Sequence, residues 1–363
     1  MLKKITALVL AALMIASLAA CGKKGGTKTL DIKSDKKVAV LVAPEDEFGE
    51  DYRAAKELAE AYPDNVVLRE YSDSRLLKAG DSEIITLSEE IAGDKSIGAI
   101  IYARATQFTY EAIVRAKTGN PAILAVAIEP EDDLEKIASV ADFVIKCDRA
   151  AAAKDIVAKA KEAGAQYFVF FSNEYLNRLS QTETERKAFE NECKEQKIKF
   201  IADNGVSALN GTSDGSGIEK AKNVAKERLA YLKNNKMIEG ENVALFSADV
   251  TVQSTLAALA ADNKMIYVSP EFPSALDEAT LKLASESAGA KFFSYKFGLM
   301  TSFIKAAFAA SIAILDKAEG SDDLAKTVKD ALTAQANDEK FAIAAQTGYE
   351  NVFAAYCPAF EKV

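Results

Sequence analysis

Apolar residues in this chain fall into short blocks separated by longer amphipathic stretches, and the alternation begins at Val38. Residues 38–43 (VAVLVA) form an uninterrupted apolar run, the pattern of a strand buried on both faces. A turn-like acidic stretch from Pro44 to Gly49 follows. Residues 51–62 then place Tyr52, Ala55, Leu58 and Ala59 at helical spacing, with Asp51 near the start, where the helix dipole favours negative charge. The unit recurs as strand 65–71 with helix 83–92 and strand 97–102 with helix 108–118, and 122–127 and 143–145 read as further strands. Strands alternating with helices predict βαβ units and a parallel sheet.

Past Asp148 the rhythm restarts. Helix 150–163 stops at Gly164, where a left-handed cap is easy. Strand 167–171, helix 183–196, strand 198–202, helix 218–234, strand 242–247, helix 250–263 and strand 265–268 complete a second series. Pro270-Glu271-Phe272-Pro273 is a break, followed by helix 275–287, strand 291–295 and an apolar helix 299–315 striped by Leu299, Phe303, Ala306, Ala310 and Ile314. A helix at 324–334 and short strands at 341–345 and 352–356 end the chain. The fold class expected is α/β: two doubly wound parallel-sheet lobes joined by a three-crossover hinge. The last portion is too small for a third domain, so the economical division gives 37–147 plus 270–320 to an N-terminal lobe and 148–269 plus 321–363 to a C-terminal lobe.

The segment ahead of this body has a different character. Lys3 and Lys4 precede an apolar run from Leu8 to Ala16, the layout of a secretory signal and too short for a comfortable membrane span. It ends in Leu18-Ala19-Ala20-Cys21, which resembles the lipobox of bacterial lipoproteins. The resemblance implies cleavage before Cys21 and attachment of acyl chains such as palmitate there. The mature protein would then sit on the extracytoplasmic face of the membrane, held by a lipid anchor and soluble elsewhere. Residues 22–36 (GKKGGTKTLDIKSDK) read as a solvated tether.

Removing residues 1–20 takes away two lysines and leaves 43 basic against 54 acidic residues, a net charge of about −11 that argues against nucleic acid as a partner. The chain has no histidine, which removes every Ser-His, Cys-His and histidine–metal arrangement together. Cys147, Cys193 and Cys357 show no Cys-x-x-Cys spacing and read as buried apolar residues. No cofactor and no metal site are expected. The glycine-rich run 211–217 lacks the Lys-Ser/Thr of a P-loop and reads as a flap ending in a helix cap at Ser216.

The two-lobe rhythm resembles the type I periplasmic binding protein fold, in which two lobes close on a small ligand. Asp51-Tyr52-Arg53 and Pro270-Glu271-Phe272-Pro273-Ser274-Ala275-Leu276 are similar to segments of a bacterial lipoprotein family of unknown function assigned to that fold. The likeness names no ligand, so contacts are argued from position. Ligands of open parallel sheets sit beyond the carboxyl ends of the strands. That selects Phe48, Ser72, Tyr102, Arg104 and Glu129 in the first lobe, Asn173, Ser247 and Asp249 in the second, and Glu271 at a crossover.

Arg104 is the most informative of these. It stands directly after a strand, where it either clamps an anionic group of the ligand or pairs with Glu129 or Asp73. Asp249 is a ligand contact or a helix cap, and Phe48 and Tyr102 either stack on a ring or belong to the core. Asp148 and Arg149 are expected to pair at the hinge.

The set suits a nucleoside, sugar or amino-acid-like molecule, with the absence of tryptophan weighing against sugars. The function expected is capture of such a solute by a monomeric lipoprotein for an ABC-type permease or a sensor, without catalysis. The competing expectation is a hydrolase such as a glycosidase, working with two carboxylates across the cleft.

Overall fold

The computed structural model describes residues 30–45, 48–71, 83–131, 133–173, 176–178, 180–205, 216–240, 242–249, 252–268, 282, 286, 289, 291–295, 298–318, 321–335, 341–357 and 360–362. Contacts divide the chain into residues 1–32, of which 30–32 take no regular structure, and Lys33–Val363, which holds every helix and strand given below. No helix among the described residues is long and apolar enough to cross a membrane. The expected signal (1–20) and Cys21 lie outside the described residues.

The first series runs β1 (Lys37–Val42), α1 (Gly49–Ala61), β2 (Val66–Glu70), α2 (Glu83–Gly93), β3 (Ile97–Tyr102), α3 (Thr109–Gly119), β4 (Leu124–Ile128), α4 (Leu134–Val140) and β5 (Phe143–Cys147). The second runs α5 (Arg149–Glu162), β6 (Tyr167–Phe171), a 3-10 turn (Leu176–Arg178), α6 (Ser180–Glu195), β7 (Lys199–Asp203), α7 (Ser216–Asn234), β8 (Val243–Ser247), α8 (Gln253–Asp262), β9 (Ile266–Val268) and β10 (Lys291–Tyr295). The chain ends with α9 (Leu299–Leu315), α10 (Leu324–Ala334), β11 (Ala342–Ala345), β12 (Val352–Tyr356) and β13 (Phe360–Lys362).

Two sheets result, with orders β11-β12-β5-β4-β3-β1-β2 and β13-β10-β9-β8-β6-β7. All pairings are parallel except the edge pairs β11–β12 and β10–β13. Continuous apolar runs are what a sheet covered by helices on both faces requires, and β3 (IGAIIY) is buried at every position.

The expected division into lobes is corrected at both late segments. β10, assigned to the first lobe within 270–320, pairs with β9 in the second sheet. β12, assigned to the second lobe within 321–363, pairs with β5 in the first. The return crossing therefore comes one strand later than economy suggested, between β10 and α9, and the last crossing falls between β12 and β13. With the passage at Asp148, three crossings join the lobes.

Helix α9 is the keystone of the first lobe. It packs on α1, α10 and the central strands, and Phe303, Ile304 and Phe308 are wholly buried, worth about 1.5–3 kcal/mol each. In the second lobe Phe168, Phe170, Phe189 and Phe246 form a cluster whose ring centroids lie 4.4–6.2 Å apart. Among the described residues, side-chain caps start α4 (Asp133), α5 (Asp148) and α10 (Asp323). Gly164, at φ +97, turns the chain after α5 as its sequence position predicts. Asp316, just past α9, accepts the backbone N–H groups of Lys33 and Ser34 at 3.0 and 2.6 Å, which fixes the lead-in to β1 on the first lobe.

Candidate functional site

The carboxyl ends of the parallel strands carry a dense set of buried polar side chains, and most of them are already paired inside the protein. In the first lobe Arg104, two residues beyond β3 and 2% exposed, binds Asp51 through Nε at 2.8 Å and Nη2 at 3.1 Å. The Phe48 ring lies under the same guanidinium, 4.2 Å from Cζ to centroid. Burial pushes the Asp51 carboxyl above its usual value, with Arg104 opposing the rise. Asp51 thus takes the place expected of Glu129, which pairs with Arg149 instead; Asp73, the other partner expected, lies outside the described residues.

Glu50 occupies the neighbouring position. Its Oε1 accepts the Thr301 N–H of α9 at 2.7 Å, so the amino-terminal turn of that helix, a natural anion site, is filled by the protein's own carboxyl. Burial raises the Glu50 pKa to about 8, against the pull of the Thr301 N–H. Glu50 is partly exposed as a residue, but its Oε2 is buried and has no hydrogen-bond partner among the described residues. Gly298 is required here, because a Cβ would stand 2.6 Å from the Glu50 Cδ.

Glu129 follows β4 with φ +46, a left-handed conformation costly for a residue with a side chain. Its Oε1 accepts the Cys147 N–H, and Oε2 accepts Arg149 Nη2 at 2.8 Å. Arg149 also faces Glu185 of α6 at 3.5 Å. Burial alone would lower the Arg149 pKa, but Glu129 and Glu185 reverse the effect and raise it. The expected Asp148–Arg149 pair is corrected: Asp148 caps α5 by accepting from Ala151 N at 3.1 Å, which leaves Arg149 for the two glutamates.

In the second lobe Asn173, past β6, donates to Asp249 Oδ2 at 3.1 Å and accepts from Leu176 N at 2.8 Å. Ser247 Oγ accepts the Asp249 N–H at 2.9 Å. Helix α8 starts later than expected, at Gln253, with Val252 in the cap position, and residues 250 and 251 between it and Asp249 lie outside the described residues. Asp203, the last residue of β7, takes Arg228 Nε at 3.1 and 2.9 Å and Nη2 at 2.7 Å.

Seven of the nine predicted contact residues are described: Phe48, Tyr102, Arg104, Glu129, Asn173, Ser247 and Asp249. Ser72 and Glu271 lie outside the described residues, as do residues 211–215 of the glycine-rich run; Ser216, expected as a cap, opens α7. Tyr102 is fully buried, its hydroxyl donating to Ser88 of α2 at 3.1 Å, and belongs to the core. Phe48 serves as the platform for Arg104. The position rule did not reach Arg149, Gln181 and Glu185; helix spacing alone gave no reason to bring α6 against the first lobe. Among the described residues no group of three metal-ligating side chains exists.

No curated protein sequence matches this chain. A family model described as "Protein of unknown function (DUF3798)" matches residues 37–286. Among solved structures, a protein described as a transcriptional regulator from Clostridium difficile 630 superposes with a TM-score of 0.64 at 16% identity, covering 92% of this chain and 100% of that one. A periplasmic solute-binding protein from Actinobacillus succinogenes 130z with bound D-allose gives 0.53 at 14% identity, covering 78% and 92%. A periplasmic sugar-binding protein of an ABC transporter from Legionella pneumophila gives 0.51 at 13%, covering 77% and 95%. At such identities the likeness is one of fold. Since the family match takes in more than half of the 363 residues, this chain belongs to the DUF3798 family, built on the two-lobed type I periplasmic binding protein-like fold.

Proposed function

We propose that this protein is a solute-binding lipoprotein, anchored through Cys21 on the extracytoplasmic face of the membrane. It captures a small uncharged polar molecule of sugar or nucleoside type between its lobes and passes it to an ABC-type permease or a sensor. The observation that carries the reading is the polar set at the strand ends of a two-lobed fold: Asn173, Ser247 and Asp249 in one lobe and Glu129 in the other, all buried and held by hydrogen bonds. Preorganised donors and acceptors of this kind suit hydroxyl recognition. The solute-binding relatives of fold, one holding D-allose, agree with it.

The charge pattern narrows the ligand. Arg104, Arg149 and Arg228 are each engaged by an internal carboxylate, and Glu50 fills the α9 amino terminus. An amino-acid-like ligand would have to find a cation for its carboxylate outside these groups, so sugars and nucleosides are favoured. The same pairings weigh against the hydrolase reading, in which a carboxylate must be available to a scissile bond.

The test is mass spectrometry of small molecules released on denaturing the purified protein, with thermal-shift measurements in D-allose, D-ribose and adenosine. Binding to the folded state alone adds about 2.7 kcal/mol at 100 times the dissociation constant. A raised melting temperature that disappears in Asn173→Ala or Asp249→Ala supports the reading. No released molecule and no shift with any of the three sinks it.

A further inference from the structure

At the hinge side of the cleft a buried charge cluster spans the two lobes. Glu129 closes β4 of the first lobe; Arg149 is the first residue beyond the Asp148 crossing; Glu185 sits on α6 of the second lobe. Arg149 reaches Glu129 at 2.8 Å and Glu185 at 3.5 Å, with the three side chains 9, 1 and 6% exposed respectively. One turn earlier on α6, Gln181 Nε2 donates to the Pro130 carbonyl at 2.6 Å, a direct bond from one lobe to the other. Residues 129–131 and 181–185 are thereby drawn together.

Two carboxylates share one guanidinium in this dry setting, so that among the described residues the trio carries one negative charge in excess. A single proton removes the excess. We propose that Glu129, Arg149, Glu185 and Gln181 form an interlobe latch that takes up a proton from solvent as the lobes join, so that mild acid favours the joined form. The proposal rests on the two-lobe solute-binding reading for its purpose, though not for its test.

Glu185 is the proton acceptor. Burial pushes its pKa up to about 6, countered by Arg149 and reinforced by Glu129. Arg149 of α5 and Glu129 beyond β4 are the charges that act on it. The other charged residues around it are the buried Glu131 in the covering segment, Glu183, Arg186 and Lys187 on α6 itself, Arg178 in the 3-10 turn, Lys199 and Asp203 on β7, and Lys154, Asp155, Lys159, Lys161 and Glu162 on α5. Parting the lobes removes the cover of residues 129–131 and returns Glu185 toward its ordinary value of 4.5. A carboxyl whose pKa is higher in the joined state favours that state as pH falls. The gain accrues between pH 6 and 4.5 and amounts to at most about 30-fold in the joined-to-parted ratio.

Hydrogen exchange on the ligand-free protein measures this, because corrected amide exchange reports an opening equilibrium even when the open form is rare. The amide of Cys147, bonded to Glu129 itself, is the reporter, with amides of α3 as a remote control. In the wild type the opening constant should fall about sevenfold from pH 7 to pH 5 while the α3 amides stay level. Glu185→Gln, a neutral isostere, should give a low opening constant with no pH response in this range. Gln181→Ala should raise the constant at both pH values and keep the response. A flat wild-type profile, or an unchanged response in Glu185→Gln, overturns the latch and leaves the solute-binding reading standing. A failed ligand screen would do the reverse.

Discussion

Glu50 offers the sharpest test of how the buried charges are arranged. Its carboxyl is raised from 4.5 to about 8 by burial, so at pH 7 the folded protein holds it mostly protonated while the unfolded chain ionises it. A carboxyl raised on folding costs stability progressively as pH climbs from the unfolded value toward the folded one. At pH 7 the gap above 4.5 corresponds to about 3.4 kcal/mol, and near pH 5.5 to about 1.4 kcal/mol. Glu50→Gln imitates the neutral acid and keeps an oxygen for the Thr301 N–H. An amide is a less adaptable partner than a carboxylic acid, and Glu50 is partly exposed as a residue. The expected net gain is therefore about 1–3 kcal/mol at pH 7, shrinking toward zero near pH 4.5. Urea unfolding of both proteins at pH 5 and pH 7, followed by circular dichroism, measures it. A difference that does not change with pH, or a variant less stable than wild type at pH 7, would refute the reasoning.

Two further changes examine the same region. Gly298→Ala puts a methyl group 2.6 Å from the Glu50 Cδ and 3.0 Å from Thr301 Oγ1; it should cost about 1–3 kcal/mol in urea unfolding, and most of the loss should vanish in a Glu50→Ala background. Arg104→Met leaves Asp51 buried without its guanidinium and should cost about 3–5 kcal/mol; a loss below 1 kcal/mol would mean that the pair is not the prop it is taken for.

Much of the architecture is legible in the sequence because parallel strands are nearly pure apolar blocks and their crossover helices carry stripes. The runs at 167–171, 291–295, 299–315, 324–334 and 352–356 coincide with β6, β10, α9, α10 and β12. The seven-residue α4 escapes notice because it spans two turns and buries little beyond Ile137. Sheet membership of β10 and β12 is not written locally. Both are short, apolar and β-branched or aromatic in part, and either sheet would bury them equally well; the crossings decide. At the candidate site, position alone locates Arg104 and Glu129, since every strand end in an open parallel sheet points to the same rim. Their partners are another matter. Asp51, some fifty residues before Arg104, reads in sequence as a complement to a helix dipole, and only the meeting of α1 with the β3 end converts it into a counter-ion.

The late crossings also govern how this protein can be made. The first sheet is not complete until β12, residues 352–356 of 363, pairs with β5 more than two hundred positions earlier. Its central helix α9 is likewise supplied from the far side of the second lobe. A nascent chain therefore carries an unfinished first lobe, with the α1 face uncovered until α9 is made and the β5 edge uncovered until β12 is made. A truncation ahead of β12 should consequently be felt by both lobes at once, because β12 closes the first sheet on β5 and β13, lost with it, closes the second on β10.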